Sequence, residues 1–234
     1  MSLSRRLVSE GLGTAFLLAI VVGSGIMAER LSGGNVAIAL LANAIATGAG
    51  LVALILMFGT ISGANFNPVV TLSEAWQKKM PASEVVPFIL VQIIGAFAGV
   101  AAAHGMFDLP LFTASEHVRS GVAQWWSEFV ATFGLIAVII GCSRSRPSVT
   151  PFAVAAYITA AYWFTASTSF ANPAVTLARS FTNTFAGIRP TDVGGFIVAQ
   201  LLGAISATIV FSWLYPALAK DSTVAPSEFS QKNS

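Results

Sequence analysis

Two short stretches, SGANFNPVVTL at 62–72 and SFANPAVTLARS at 169–180, each carry an Asn-Pro pair among small and hydroxylated residues. Asn is a strong helix N-cap, and Pro is favoured at the first helical position, where its missing N–H is not needed. Asn67-Pro68-Val69 and Asn172-Pro173-Ala174 are therefore each expected to open a helix. The runs that follow, VVTLSEAW and AVTLARSF, meet polar residues too soon to cross a bilayer. Each reads as a half-helix dipping into a membrane, acceptable only where it is buried in protein or lines a cavity. If the two N-termini abut, each brings about half a positive charge and an Asn amide able to donate into a lumen. Such a device repels cations and interrupts a proton-conducting water chain, yet offers hydrogen bonds to neutral hydroxylated solutes. One Asn-Pro turn is common in loops; two at matching places point to a pore.

Glu10 and Glu128 are the other chemistry-bearing residues inside apolar runs. Intramembrane carboxylates are functional candidates by default, and a proton-coupled secondary transporter would need one. The alternative is a structural acceptor for backbone N–H groups of the re-entrant loops. The symmetric placement, Glu10-xxx-Thr14 and Glu128-xxx-Thr132, favours the structural role, with neither as proton carrier. No nucleophile–base pair, metal cluster or phosphate loop supports an enzyme or a cofactor. His104 and His117 lack a second His or Cys at ligand spacing and read as residues of the surface rather than of a metal site. The single Cys142 excludes an intramolecular disulfide.

The elements that must hold these residues are transmembrane helices. The chain has 234 residues, 55% hydrophobic and 9% charged, with mean hydropathy +0.77. Soluble domains carry about 25% charged residues, so the composition excludes an ordinary soluble domain. A net charge of +2, dispersed along the chain, gives no footprint for nucleic acid. Six segments near 7–29, 36–60, 84–106, 124–142, 149–168 and 193–216 approach the span of about 20 residues that a bilayer needs. Residues 1–28 could pass for a signal peptide, but the run is long enough to span, Glu10 interrupts its start and further spans follow. Arg5, Arg6, Lys78, Lys79, Arg144, Arg146, Lys220 and Lys232 fall on one side of a six-span plan. Arg30, Arg119, Arg179 and Arg189 fall on the other side or within the second half-helix. Basic loops favour the cytoplasm, so both termini are expected there, with the protein in the cell's inner (plasma) membrane.

The halves repeat. Asn67-Pro68 recurs as Asn172-Pro173, and Gln92-xx-Gly95-Ala96 recurs as Gln200-xx-Gly203-Ala204, in the order set by the two Glu-xxx-Thr pairs. Three spans per half require the second copy to lie inverted in the membrane. The expected organisation is one channel domain over 1–220, with repeats at about 5–107 and 122–218 and a polar, disordered tail at 221–234.

On Glu10–Thr14, SGANFNPVVT, Gln92, Glu128–Thr132, ANPAVT and Gln200, the sequence resembles the aquaporin, or major intrinsic protein, family over about residues 5–218. The resemblance implies an all-α membrane protein of six transmembrane helices and two re-entrant half-helices. It also implies a homotetramer in the lipid bilayer, one pore per subunit, and passive conduction of small neutral solutes. Four positions build the family's outer constriction: 20 residues before the first Asn, 12 and 3 before the second, and 3 after it. Without gaps these are Thr47, Ala160, Ser169 and Val175. Water-selective members resemble one another in having an aromatic, a His and an Arg there, and glycerol channels keep the Arg with aromatic partners. This chain has neither aromatic nor charge at the four positions. It also has Val69 where Ala is usual and Asn65 where relatives often have His. Losing the Arg removes fixed donors and a charge, so larger neutral solutes meet less steric and desolvation cost. Arg179, one helical turn beyond Val175, either reaches back to the constriction or sits in the outer vestibule or surface, the vestibule or surface being favoured. The set resembles bacterial aquaglyceroporins of the arsenic-resistance type, implying glycerol-like polyols, arsenous acid, related metalloid hydroxides and methylated arsenicals as solutes, with water accompanying. A proton-coupled transporter and a mainly water-conducting channel are the alternatives.

Overall fold

The computed structural model describes residues 1–215, and every regular element among them is helical. In chain order they are α1 (Leu3–Leu31), α2 (Val36–Ser62), α3 (Pro68–Trp76), α4 (Ala82–Met106), α5 (Val122–Ser145), α6 (Thr150–Phe164), α7 (Pro173–Arg179) and α8 (Val193–Leu214). Single 3-10 turns at Pro147–Val149 and Pro190–Asp192 lead into α6 and α8. The end of the last expected span at 216 and the expected tail at 221–234 lie outside the described residues.

Among the described residues, α1, α2, α4, α5 and α8 are long and apolar enough to cross a membrane. The expected span at 149–168 is the exception: α6 has 15 residues and stops at Phe164, about 22 Å of helix. At Thr165 the backbone turns extended, φ −111° and ψ 138°. The Thr165 hydroxyl donates to the Ala161 carbonyl at 2.6 Å, a local bond of the kind that competes with helix continuation. The chain then runs through Thr168, Ser169 and Ala171, all at positive φ, into the second Asn-Pro turn. The first half makes the equivalent approach through Gly63, Ala64 and Phe66, also at positive φ. Gly63, at φ 97°, is the left-handed cap that ends α2.

Both halves pack by the same device. In lipid, helices gain little from hydrophobic burial against each other, so small residues that admit close backbone contact dominate the seams. A Cβ on Gly95 of α4 would sit 2.2 Å from the Gly11 carbonyl oxygen of α1, and one on Gly99 would sit 2.2 Å from that of Ala15. In the second half a Cβ on Gly203 of α8 would lie 2.5 Å from the Phe129 carbonyl oxygen of α5. The outward faces are apolar, with Phe16, Ile45, Ile94, Val198, Leu202 and Ile209 exposed.

Polar contacts mark the two ends of the bundle. Arg6 pairs with Glu84 at 2.5 Å, Arg144 donates to the Gln77 amide oxygen at 2.9 Å, and Lys79 reaches Ser143 at 3.3 Å. These residues sit with the α1 N-terminus. At the opposite end, Arg30 donates to the Phe107 carbonyl at 3.1 Å and Arg189 pairs with Asp192 at 2.9 Å.

Candidate functional site

The two half-helices α3 and α7, 9 and 7 residues long, begin at Asn67 and Asn172. Each Asn caps its own helix. Asn67 Oδ1 accepts from the Val69 N–H at 3.1 Å, and Asn172 Oδ1 accepts from Ala174 and Val175 N–H at 3.0 and 3.3 Å. Each amide nitrogen then crosses to the other loop. Asn67 Nδ2 donates to the Ala171 carbonyl at 2.8 Å, and Asn172 Nδ2 donates to the Phe66 carbonyl at 2.8 Å. The half-helices are thus tied N-terminus to N-terminus. An amide has two N–H donors, so each Asn keeps one beyond this cross-link, and both residues line the lumen.

Glu10 and Glu128 hold the loops that feed these turns. Glu10, fully buried, accepts from Ser62 Oγ at 2.6 Å, Asn65 N at 3.0 Å, Phe66 N at 2.7 Å and Gln92 Nε2 at 2.8 Å. Glu128, also fully buried, accepts from Phe170 N at 2.8 Å, Ala171 N at 2.9 Å and Gln200 Nε2 at 2.6 Å. The same glutamines reach the half-helices, Gln92 to Thr71 Oγ1 at 2.9 Å and Gln200 to Thr176 Oγ1 at 2.8 Å. Positive φ at a non-glycine residue costs of order 1–3 kcal/mol and persists only when its surroundings fix it. Phe66 and Ala171 are such residues, and each gives its N–H to a carboxylate.

Beside the tied turns runs a cavity of about 510 Å³. Thr47, Ser169 and Val175 line it, all three more than nine-tenths buried. Ala160 does not: it is exposed on the outer side of α6, and Ile158 and Tyr162 are the α6 residues at the lumen. The fixed offset fails because α6 ends early and the left-handed residues after Thr165 shift the register. Tyr162 places its hydroxyl 3.2 Å from Thr47 Oγ1, and Phe170 also lines the cavity. The lumen therefore has aromatic surface, although none stands at the four positions found by offset. Val69 faces away from it, fully buried against Ile136, Ile140, Ala204 and Ala207. Asn65 Nδ2 donates to Thr71 Oγ1 at 3.3 Å, within the first loop.

Arg179 is not at the surface. It is 2% exposed and lines the cavity with Val175. Its Nε donates to the Ala186 carbonyl, and its guanidinium carbon lies 3.4 Å from the centre of the Phe170 ring. Arg119, which spacing alone did not single out, comes in from the α4–α5 connection and stands 5.0 Å from the same ring. It donates from Nε to Gly187 O at 2.8 Å and from Nη1 to Ser167 O at 3.1 Å. Burial draws the Arg119 pKa down to about 10, with Glu128 and Tyr162 opposing the shift, so the group stays charged at neutral pH. Among the described residues neither guanidinium forms an ion pair. No spacing rule flags Arg119, because a loop residue reaches the Phe170 ring only through tertiary structure. Tyr162 was within reach, one helical turn after Ile158 on the same face of α6.

The family model described as Major intrinsic protein matches residues 1–166 and 147–233. The chain belongs to the major intrinsic protein family. Within that family it is 55% identical over 212 residues to aquaglyceroporin AqpS of Rhizobium meliloti, covering 91% of each chain. It is 27% identical over 249 residues to aquaporin AqpM of Methanothermobacter marburgensis, covering 92% of this chain and 98% of that one. The X-ray structure of the aquaglyceroporin from Plasmodium falciparum superposes with TM-score 0.66 at 18% identity, over 92% of this chain and 96% of that chain. That likeness is one of fold.

Proposed function

We propose that the protein is a broad-selectivity aquaglyceroporin: a passive pore for glycerol-like polyols, arsenous acid and related metalloid hydroxides, and methylated arsenicals, with water accompanying them. The observation that carries the reading is Val175 in the lumen beside the tied Asn turns. An apolar side chain there neither blocks the opening with a long cationic chain nor binds water strongly. The lumen still contains an arginine with aromatic partners, Arg179 with Phe170 and Tyr162, the combination that resemblance associates with glycerol channels. An aromatic wall accepts the carbon face of a polyol while the donors take its hydroxyls.

The three basic contacts at the α1 N-terminal end, from Arg6, Lys79 and Arg144, support a cytoplasmic position for that end and an inner-membrane location. The apolar outer faces suit lipid and the neighbouring subunits of a homotetramer. Glu10 and Glu128 each hold three or more donors, which speaks against a proton carrier.

The test is light scattering from proteoliposomes with water, glycerol and arsenous acid, native protein against Val175→Arg. The substitution is expected to reduce glycerol and arsenous acid at least tenfold while retaining water. Equal profiles for the two proteins would place Val175 outside the constriction.

A further inference from the structure

Only two charged side chains line the cavity, Glu74 and Arg179, among the described residues. They occupy equivalent places in the inverted halves: each lies seven residues beyond its turn's Asn, on α3 and α7 respectively. Because the half-helices point in opposite directions, Glu74 stands toward the α1 N-terminal mouth and Arg179 toward the other. The pore therefore carries a fixed negative charge near one mouth and a fixed positive charge near the other.

The positive side alone would admit anions. Arg179 and Arg119 flank Phe170 without a carboxylate partner among the described residues. The acids around them are engaged elsewhere: Glu128 by Phe170 N, Ala171 N and Gln200, and Asp192 by the Arg189 side chain and the Arg119 backbone N–H. A small anion entering that mouth meets Arg179 in the wall, with Arg119 5.0 Å from the centre of the Phe170 ring, in a low-dielectric site where Coulomb attraction is several times stronger than in water. An opening without a filter arginine at position 175 gives it little steric hindrance.

Glu74 is the opposing charge. Its Oε2 lies beside Gly63 at the end of α2, next to the lumen. The cations closest to it have other partners: Arg6 pairs with Glu84, and Lys79 donates to Ser143. Glu74 forms no ion pair among the described residues, so its field acts on the lumen. Its side-chain hydrogen bond is to the uncharged Asn65, which leaves the carboxylate's charge in place, whereas Glu10 is saturated by four donors.

We propose that Glu74 is the anion barrier of this pore, set against Arg179 at the opposite mouth, so that a wide opening passes neutral solutes and stops anions. The inference rests on the channel reading above and adds a specificity-determining residue to it.

The experiment is nitrate conductance in planar bilayers, with glycerol-driven swelling of proteoliposomes from the same preparation. Native protein should pass glycerol and show no nitrate conductance above the protein-free bilayer. Glu74→Gln should raise nitrate conductance at least tenfold, with the reversal potential moving toward the nitrate equilibrium value and glycerol flux still measurable. Glu74→Asp should remain closed to nitrate. Arg179→Met, which removes the attracting charge, should not gain nitrate conductance, and combined with Glu74→Gln it should lower the gain. Glycerol flux without nitrate conductance in Glu74→Gln overturns the proposal, as does equal leakage of nitrate and guanidinium, which would indicate loosened packing. If Glu74→Gln passes no glycerol, Glu74→Ser is read in the same way. Loss of glycerol flux in both also overturns it, because Glu74 would then be needed for the pore itself. Absence of glycerol flux in the native protein would instead contradict the channel reading.

Discussion

Asn67 donates to the Ala171 carbonyl at 2.8 Å, and Asn172 returns the bond to Phe66 at the same distance. This exchange joins two half-helices that no continuous segment connects. An N-cap Asn is worth about 1 kcal/mol, and a buried hydrogen bond left half-made costs about 1–3 kcal/mol. Asn172→Ala should therefore lower the stability of the purified protein by about 2–4 kcal/mol and reduce glycerol flux. Thermal unfolding in detergent beside native protein measures the first effect, and vesicle swelling the second.

Glu10 should behave as an anchor whose acceptor oxygens are required. A buried N–H left without its acceptor costs about 1–3 kcal/mol. Glu10→Ala strands the N–H groups of Asn65 and Phe66 and should abolish folded protein; Glu10→Gln should be destabilised but present. Yield and melting temperature of the two variants rank them. A Glu10→Ala protein as stable as native would remove Glu10 from the scaffold.

Gly95 tests the helix seam. Its virtual Cβ would lie 2.2 Å from the Gly11 carbonyl oxygen, which is backbone and cannot swing away. Gly95→Ala should force α1 and α4 apart at a cost of about 1–3 kcal/mol, while Gly105→Ala, with nothing near the added atom, should be neutral. Paired melting curves decide it.

His117 gives a pH dependence. Burial, then the neighbouring Arg119 and Arg179, hold its imidazole below the ordinary value of 6.5. As pH falls, the unfolded chain takes up this proton first and the folded protein only at lower pH. The unfolded state thus binds more protons in that window, and stability rises with pH. The contribution is complete above about pH 6.5 and is lost as pH drops below it. Melting temperatures of native protein and His117→Gln should converge in acid relative to their difference at neutral pH; parallel curves would contradict the assignment.

Tyr162 should set the width of the opening. Tyr162→Ala removes the ring facing Thr47 and should raise flux of a larger polyol such as xylitol several-fold relative to glycerol. An unchanged ratio in swelling assays would place the narrowest point elsewhere.

The scaffold was legible because its determinants are local or repeated. Asn-Pro pairs cap helices by their own chemistry, and paired Glu, Gln and Gly positions disclosed the duplication. Long apolar runs located five full spans. The lumen was less legible. Ala160 came from counting backwards along a continuous helix, but Thr165 ends α6 and the residues at positive φ alter the spacing. For Arg179 the spacing leaves the constriction and the vestibule or surface open; the Phe170 ring and the Ala186 carbonyl hold it inside, lining the cavity, so only the surface position is excluded. Arg119 reaches the site from a connection whose path is set by tertiary contacts with Ser167, Gly187 and Asp192.

The central claim is passive conduction of small neutral solutes, and glycerol flux against concentration tests it most directly. Proteoliposomes should swell at a rate linear in the glycerol gradient, without saturation and without response to an imposed pH gradient. Flux that saturates and follows the pH gradient, and that is uncoupled in Glu10→Gln or Glu128→Gln, would contradict it.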